Sequence, residues 1–334
     1  MLMNLGSPDS TSVPDVRKYL KEFLMDGRVI DQPWLLRTLL VKGIIVPFRA
    51  PKSAEAYETI WTDEGSPLVV LTKQLKSEVD KHVSVPVSIG MRYGNPSPLD
   101  AYEEMLKQSP DLEEVLLVPL YPHYAMSSYE TAVEYAKDIH KEKGYKFTLQ
   151  VIPPYYDNDQ YIAALADRIA PYLKEDYDQL LFSYHGIPGR HIRKSDVTGC
   201  HCLVNQNCCE TPSTAHAHCY RHQVRKTTQR VVELLKIPDG KWSLSFQSRL
   251  GKGWLEPFTD IRLGEMPKEG IKNIKVVCPA FVSDCLETLE EIAIRGKESF
   301  MEAGGEKYEM IPCLNTSPLW VDTIVGWIND FTNT

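Results

Sequence analysis

Ile274-Lys275-Val276-Val277-Cys278-Pro279, followed one residue later by Phe281-Val282-Ser283-Asp284-Cys285-Leu286-Glu287-Thr288-Leu289-Glu290-Glu291, is a short apolar run that turns into an acidic segment. An apolar run of this length, closed by proline, has the size of a buried strand, and the amphipathic segment behind it reads as a helix. A strand running straight into a helix is half of a βαβ unit. With Ser283 as N-cap, Asp284, Glu287 and Glu291 fall at i, i+3 and i+7 and share one helix face.

The same alternation recurs on both sides of this stretch. Strands are expected at residues 2–5, 87–91, 115–120 and 148–152, then at 179–184, 242–247, 274–279 and 309–313. Helices are expected at 13–25, 53–59, 71–82, 99–108, 129–143, 160–173, 222–235 and 283–303. Short apolar strands alternating with longer amphipathic segments define an α/β protein with parallel sheets. Four strands in each half suggest two similar domains, 1–152 and 153–316, divided near Pro153-Pro154. The last segment, 317–334, reads as a helix returning to the first domain.

Composition narrows the function. A net charge of −8 over 334 residues argues against a nucleic-acid binder, which needs a basic face to neutralise phosphates. The apolar window 34–48 is interrupted by Arg37 and Lys42 and is shorter than the roughly 20 residues that cross a bilayer. It suits a membrane surface or the wall of a hydrophobic cleft. The opening Met1-Leu2-Met3-Asn4-Leu5-Gly6 lacks the pattern of a secretory leader. Eight cysteines then point to thiols or metal ligands in a reducing compartment, and the expected location is cytoplasmic.

Ligands of open parallel sheets collect beyond the carboxyl ends of the strands. The polar residues there are Ser7, Arg92, Tyr93, Tyr121, His123, Tyr124, Tyr155, Tyr156, His185, Gln247, Ser248, Asp284 and Glu287. Tyrosines, histidines, an arginine and carboxylates suit a flat aromatic ligand better than a phosphate. Neither G-x-x-x-x-G-K-[ST] nor a strand followed by G-x-G-x-x-G is present, so both common nucleotide cradles are missing. His185 precedes Gly186 and Pro188 and belongs at a strand-end turn. It is either a structural histidine bonded to backbone or one of a metal-handling pair with the acidic helix. The helix, taken alone, reads equally as a solvated face favoured by the macrodipole.

Three segments together carry a resemblance: S-Y-H-G-I-P at 183–188, F-Q-S-R-L-G-K-G-W at 246–254 and V-S-D-C-L-E-T-L-E-E at 282–291. With M-N-L-G-S-P at 3–8, G-S-P-L at 65–68, M-R-Y-G at 91–94 and L-Y-P-H-Y at 120–124, the chain resembles the ferrochelatase family over nearly its whole length. The resemblance implies two Rossmann-like domains flanking a porphyrin cleft, and insertion of ferrous iron into protoporphyrin IX. It also implies that His185 and Glu287 are essential, with Asp284 beside them. Arg92, Tyr93, Tyr121, His123, Ser248 and Trp254 are expected at the substrate. Residues 23–48 resemble the family's lip, which encloses porphyrin and touches a membrane peripherally; a monomer or a homodimer is compatible with this. Leu5 departs from relatives that carry tyrosine there, and leucine cannot ligate iron. The link Gly251-Lys252-Gly253 before Trp254 is also one residue tighter than the family's.

The chemistry suits these residue types. Two pyrrole N–H protons leave while iron sheds water, which calls for a base and a metal or proton relay. His185 is expected to accept protons, and Glu287 with Asp284 to deliver iron or carry protons away. Alternatives are a chelatase acting on sirohydrochlorin and a non-catalytic heme or metal carrier.

Residues 196–221 carry C-x-C-x5-C-C-x9-C, an insert relative to the family's usual short connection. Four thiolates suit structural zinc or an iron–sulfur cluster. The resemblance to microbial members with internal cysteines favours a [2Fe–2S] cluster on Cys202, Cys208, Cys209 and Cys219, with Cys200 in reserve. Nearby His201, His216, His218 and His222 would serve zinc. Cys278, Cys285 and Cys313 read as small buried apolar residues.

Overall fold

The computed structural model describes residues 1–249 and 251–333. Leu250 of the 246–254 motif and Thr334 of the segment 317–334 lie outside them. The chain divides into two compact units. The first comprises Met1–Tyr121, Met126–Pro153 and Val321–Thr334, and the second Pro122–Ala125 and Pro154–Trp320.

In the first unit, β1 (Leu2–Ser7), β2 (Ile89–Gly94), β3 (Glu114–Pro119) and β4 (Thr148–Val151) form a parallel sheet ordered β2-β1-β3-β4. In the second, β5 (Gln179–His185), β6 (Trp242–Gln247), β7 (Asn273–Val277) and β8 (Lys307–Met310) repeat the same order as β6-β5-β7-β8. Parallel pairing requires crossover helices on the sheet faces, which is why the inner strands read as continuous apolar runs. Leu180, Leu181, Phe182 and Tyr184 of β5 are all fully buried.

Local chemistry starts the helices. Ser12 accepts from the Asp15 N–H at the head of Val13–Met25. Ser97 and Asp100 form a reciprocal capping box at Pro98–Gln108. Asn158 accepts from the N–H groups of Gln160 and Tyr161 at Asp159–Ile169. Each side chain satisfies N–H groups that the first turn leaves without a partner.

Three expectations need correction. The last strand is Lys307–Met310 rather than 309–313, because its ladder to β7 pairs Asn273 with Lys307 and ends at Val276 with Met310. The lip, 23–48, carries no expected helix of its own and a separate helix is expected at 53–59; the structure is helical from Trp34–Leu40 through a π segment Val41–Ile45 into Val46–Glu58. Pro47 and Pro51 look like helix breakers, yet the helical turns run through both: Pro47 directly follows the π segment and Pro51 stands inside Val46–Glu58. The seven-residue helices Gly189–Ser195 and Thr259–Glu265 are too short for their periodicity to be read. Among the described residues, no helix is long and apolar enough to cross a membrane.

Candidate metal-insertion site

In the second sheet the chain steps from β5 to β6 on one side and to β7 on the other. Such a switch point opens a crevice at the carboxyl ends of the two strands it separates. His185 is the last residue of β5, and the acidic segment follows β7. The two sequence signals therefore emerge side by side.

Backbone geometry fixes His185. It lies opposite Gln247 in the β5–β6 register, and the next N–H, from Gly186, donates to the Gln247 carbonyl at 2.8 Å. A Cβ at position 186 would sit 2.8 Å from that same oxygen, so the close approach requires glycine. The Tyr220 hydroxyl donates to the His185 carbonyl at 2.9 Å. The ring itself lies with Nδ1 2.7 Å from the Gly186 carbonyl and edge-on to Phe281 at 6.2 Å. Trp254 is brought against this turn: it bridges Pro188, and the following Leu255 N–H donates to the Ile187 carbonyl.

The acidic helix does not begin at Ser283. That hydroxyl finds no hydrogen-bond partner among the described residues, and the helix proper is the π segment Glu287–Gly296. Thr288 ties down the turn that leads into it, accepting from the Cys285 N–H and donating to Asp284. The Asp284 carboxylate also accepts from the Cys313 N–H at 3.2 Å and the Asn315 side chain at 2.7 Å. Asp284 is thus a buried staple for its own loop. In the π segment each N–H reaches back five residues, which widens the turn. Two of its carbonyls take side-chain donors: Glu287 from Gln247 at 3.0 Å and Ile292 from Tyr308 at 2.7 Å.

Glu291 is the residue that sequence spacing undervalued. Its carboxylate is gripped by both the N–H, at 2.7 Å, and the hydroxyl of Ser248. Ser248 manages this double grip from a left-handed backbone, φ 63°. Burial pushes the Glu291 carboxyl above its usual range. The Ser248 bonds and the nearby His185 oppose that rise, and the charge of Glu287 adds to it. Imidazole and two carboxylates therefore share one electrostatic neighbourhood. The signal for Glu291 was present in its i+4 spacing from Glu287 but could not be separated from a solvated face.

The other expected site residues are placed differently. In the first unit, the Arg92 guanidinium is paired with Asp26 at 2.6 Å and hydrogen-bonded to Thr131. It lies 4.2 Å from the centre of the Tyr93 ring and 4.3 Å from that of Tyr135. Tyr93 donates to the same Asp26 oxygen, as does Thr131. Arg92 and Tyr93 are thus committed to a buried network. Tyr121 is buried with its hydroxyl unpartnered among the described residues, and burial raises its pKa. His123, in the second unit, is buried edge-on against Tyr184 and Tyr220, with Nε2 2.9 Å from Thr227. Burial pulls its pKa down to about 3. It is neutral at working pH.

The insert gathers four of its five cysteines. Cys202, Cys208, Cys209 and Cys219 are buried free thiols, whereas Cys200 is exposed. Burial pushes Cys202 up to about 11, opposed by a bond with Cys219; Cys209 is raised, first by its own bond with Cys219 and then by burial. Arg221 reaches the Cys208 sulfur at 3.4 Å. Ring nitrogens of His201 and His216 lie 2.7 and 2.9 Å from the Cys208 carbonyl, and that of His222 lies 2.7 Å from the Cys209 carbonyl. The histidines thus secure the loop that carries the thiols. Among the described residues, no three His, Cys, Asp or Glu side chains are spaced around a point to hold a single metal ion.

A family model described as Ferrochelatase matches residues 1–331. Curated proteins named ferrochelatase are similar along almost the whole length. That of Pseudomonas entomophila is 49% identical over 329 residues, covering 98% of this chain and 97% of the relative. That of Opitutus terrae is 48% identical over 330 residues, covering 98% and 95%. Among solved structures, SirB from Bacillus subtilis with Fe3+ superposes with a TM-score of 0.52 at 12% identity, covering 78% of this chain and 87% of that one. At that identity the likeness concerns the fold.

Proposed function

The chain belongs to the ferrochelatase family and inserts ferrous iron into protoporphyrin in heme biosynthesis, and we propose that His185 takes pyrrole protons while Glu287 and Glu291 bring the iron. The observation that carries this assignment is geometric: β6, which pairs with β5 up to His185, is followed directly by Ser248, whose N–H and hydroxyl hold the Glu291 carboxylate one turn after Glu287. Insertion replaces two N–H protons by one divalent cation, so two protons must find acceptors. An imidazole is one. A carboxylate whose pKa lies above its usual range is a better proton acceptor than an ordinary one, and it remains an oxygen ligand for iron. Asp284, consumed by hydrogen bonds to its own loop, is assigned to holding Glu287 in place rather than to carrying iron. Trp254 and Ser248 are assigned to the porphyrin side of the same turn, and Arg92 and Tyr93, committed to the Asp26 network, to the stability of the first unit.

Replacing Glu287 by Gln removes the charge with little change of shape. Turnover with ferrous iron should fall by about two to four orders of magnitude, while porphyrin binding, followed by fluorescence quenching, is retained. Near-normal turnover would refute the role of Glu287. Binding without any insertion by the unmodified protein would point to a carrier.

We further infer that Cys202, Cys208, Cys209 and Cys219 hold a [2Fe–2S] cluster. Support comes from the donor chemistry, since four thiols are buried together and an arginine lies beside one sulfur. Bound there, such a cluster would cross-link residues 202–219 and is a one-electron centre. Iron and sulfide analysis of anaerobically purified protein, with visible absorption, tests it; a colourless protein with stoichiometric zinc would overturn it.

The lip carries the third proposal, contact with a bilayer surface. Trp34, Leu35, Leu36, Leu39, Ile44 and Phe48 are all more than half exposed, Phe48 at 75%. Arg17, Lys18, Lys21 and Lys42 line an open groove with Glu22. Apolar side chains bordered by cations match an anionic interface.

A further inference from the structure

One buried polar side chain has no part in the proton and iron chemistry, although it touches both elements that perform it. Gln247 is 2% exposed. Its backbone is the register partner of His185 and accepts from the Gly186 N–H. Its side-chain oxygen accepts from the Ser183 hydroxyl at 2.8 Å, and its amide nitrogen donates to the Glu287 carbonyl at 3.0 Å. That carbonyl is only an acceptor, so the nitrogen must face it and the oxygen must face Ser183. Ser183 in turn contacts Thr259 at 2.9 Å, and Thr259 contacts Ser245 at 2.7 Å. The Cys278 sulfur lies 3.6 Å from the same amide oxygen.

The amide therefore spans β6 and the first residue of the π segment, with its orientation set by a chain of buried hydroxyls. A methionine would fill the same volume, so what the amide adds is direction. We propose that Gln247 is a positioning residue, holding Glu287 at a fixed separation from the strand end that carries His185. This rests on the roles assigned to His185 and Glu287. A backbone bond to Glu287 does not draw on its carboxylate, which meets Cys285, while it prevents the helix start from sliding along the strand ends. Buried networks of this kind specify geometry because every unpaired member is costly.

The experiment compares Gln247→Met, Ser183→Ala and Glu287→Gln with the unmodified enzyme, at saturating iron and porphyrin and corrected for folded protein. For Gln247→Met, kcat should fall about ten- to a hundredfold, the scale of an ångström-sized misplacement, with KM for porphyrin within about twofold. Ser183→Ala keeps the amide but frees its orientation, so kcat should fall about three- to tenfold at unchanged KM. A merely structural role would instead lower the melting temperature or the folded fraction and leave kcat per folded molecule intact. Full kcat in folded Gln247→Met overturns the proposal. If that variant does not fold, full kcat in Ser183→Ala overturns it. Full kcat in Glu287→Gln sinks the underlying assignment, whereas loss there with none in the other two sinks only the positioning role.

Discussion

The two units are built on one strand order and spend their strand ends differently. At the top of β1 and β2, Gly6 faces Tyr93 and Ser7 faces Gly94; at the top of β5 and β6, Tyr184 faces Phe246 and His185 faces Gln247. In the first unit the charge is neutralised internally. Asp26 meets the Arg92 guanidinium, the Tyr93 hydroxyl and the Thr131 hydroxyl, and two rings stack on the guanidinium. In the second unit no ion pair grips the carboxylate among the described residues: Glu291 is held by a serine's N–H and hydroxyl beside His185 and another carboxylate, and Arg295, which acts on it electrostatically, is paired with Glu290. A satisfied buried pair resists change because removing either partner strands the other. An unbalanced buried carboxylate is destabilising until a cation or proton arrives, which is what a site for iron uptake and proton loss requires. On the proposed assignment, the same scaffold serves stability in one unit and chemistry in the other.

The largest effect should come from exchanging like for like at the two strand ends. His185→Ala is expected to lower kcat on the order of a thousandfold, about 4 kcal/mol in activation free energy. Ser7→Ala, at the corresponding end of β1, removes a buried hydroxyl that finds no partner among the described residues. It should leave stability unchanged or raise it by about 1 kcal/mol. Steady-state rates and denaturant midpoints for the two variants would break the comparison if Ser7→Ala proved the more damaging to turnover.

Next in size is Asp26→Asn, which leaves the buried guanidinium without its counter-charge. Stability of the first unit should fall by about 3 kcal/mol, read by hydrogen exchange, and Arg92→Met added to it should recover part of the loss. The Asp26 carboxyl is held below its usual range: burial opposes this, and bonds from Thr131, Arg28 and Tyr93 with the charge of Arg92 outweigh it. A depressed carboxyl contributes stability above its unfolded pKa, about 3.9, and loses it as pH falls through the folded value. The penalty of Asp26→Asn should therefore shrink below about pH 4.

Much of this contrast was legible in the sequence, and the reasons are local. The strand runs ending at His185 and Val277 are apolar, bounded by Gly or Pro, and their successors are polar, so a ligand region beyond their carboxyl ends was legible, whereas the order β6-β5-β7 that makes them neighbours was not. What stayed hidden was three-dimensional. Asp284 and Glu291 look interchangeable as acids on one helix, but a threonine, an asparagine and a distant N–H claim the first. The second is delivered to His185 by a π turn that no periodicity announces. Arg92 looked like a free cation at a strand end because its partner, Asp26, lies 66 residues away in sequence. Gln247 stood among the strand-end polar residues, but nothing in the sequence says which carbonyl its amide will meet. Helix 34–58 was missed because Pro47 and Pro51 read as breakers and nothing in the sequence marks the π segment before them.

Glu291→Gln should give a smaller effect of opposite signs. A carboxyl raised by burial costs stability once pH exceeds its unfolded pKa, about 4.3, and the cost is complete above the folded value. A neutral amide of the same shape should therefore stabilise the second unit at pH 8 and not below about pH 4. Turnover should drop about tenfold. Loss of stability at pH 8 would mean that the Ser248 grip, rather than burial, dominates this carboxylate.

The smallest effect on the molecule itself is expected at the lip. Leu35 and Leu39 are exposed at 65% and 63%, so Leu35→Ser with Leu39→Ser should change folding stability by less than about 0.5 kcal/mol. Their role shows only against a second phase. Burying two leucine side chains in a bilayer interface is worth about 3 kcal/mol, so co-sedimentation with vesicles containing phosphatidylglycerol should weaken more than tenfold. Raising salt, which screens Arg17, Lys21 and Lys42 at the neighbouring groove, should weaken the unmodified protein's binding without abolishing it. Equal binding of variant and unmodified protein would show that the exposed face serves something other than a bilayer. The first unit would then hold its unpartnered surface for the porphyrin alone, and the division of labour between the two units would be sharper still.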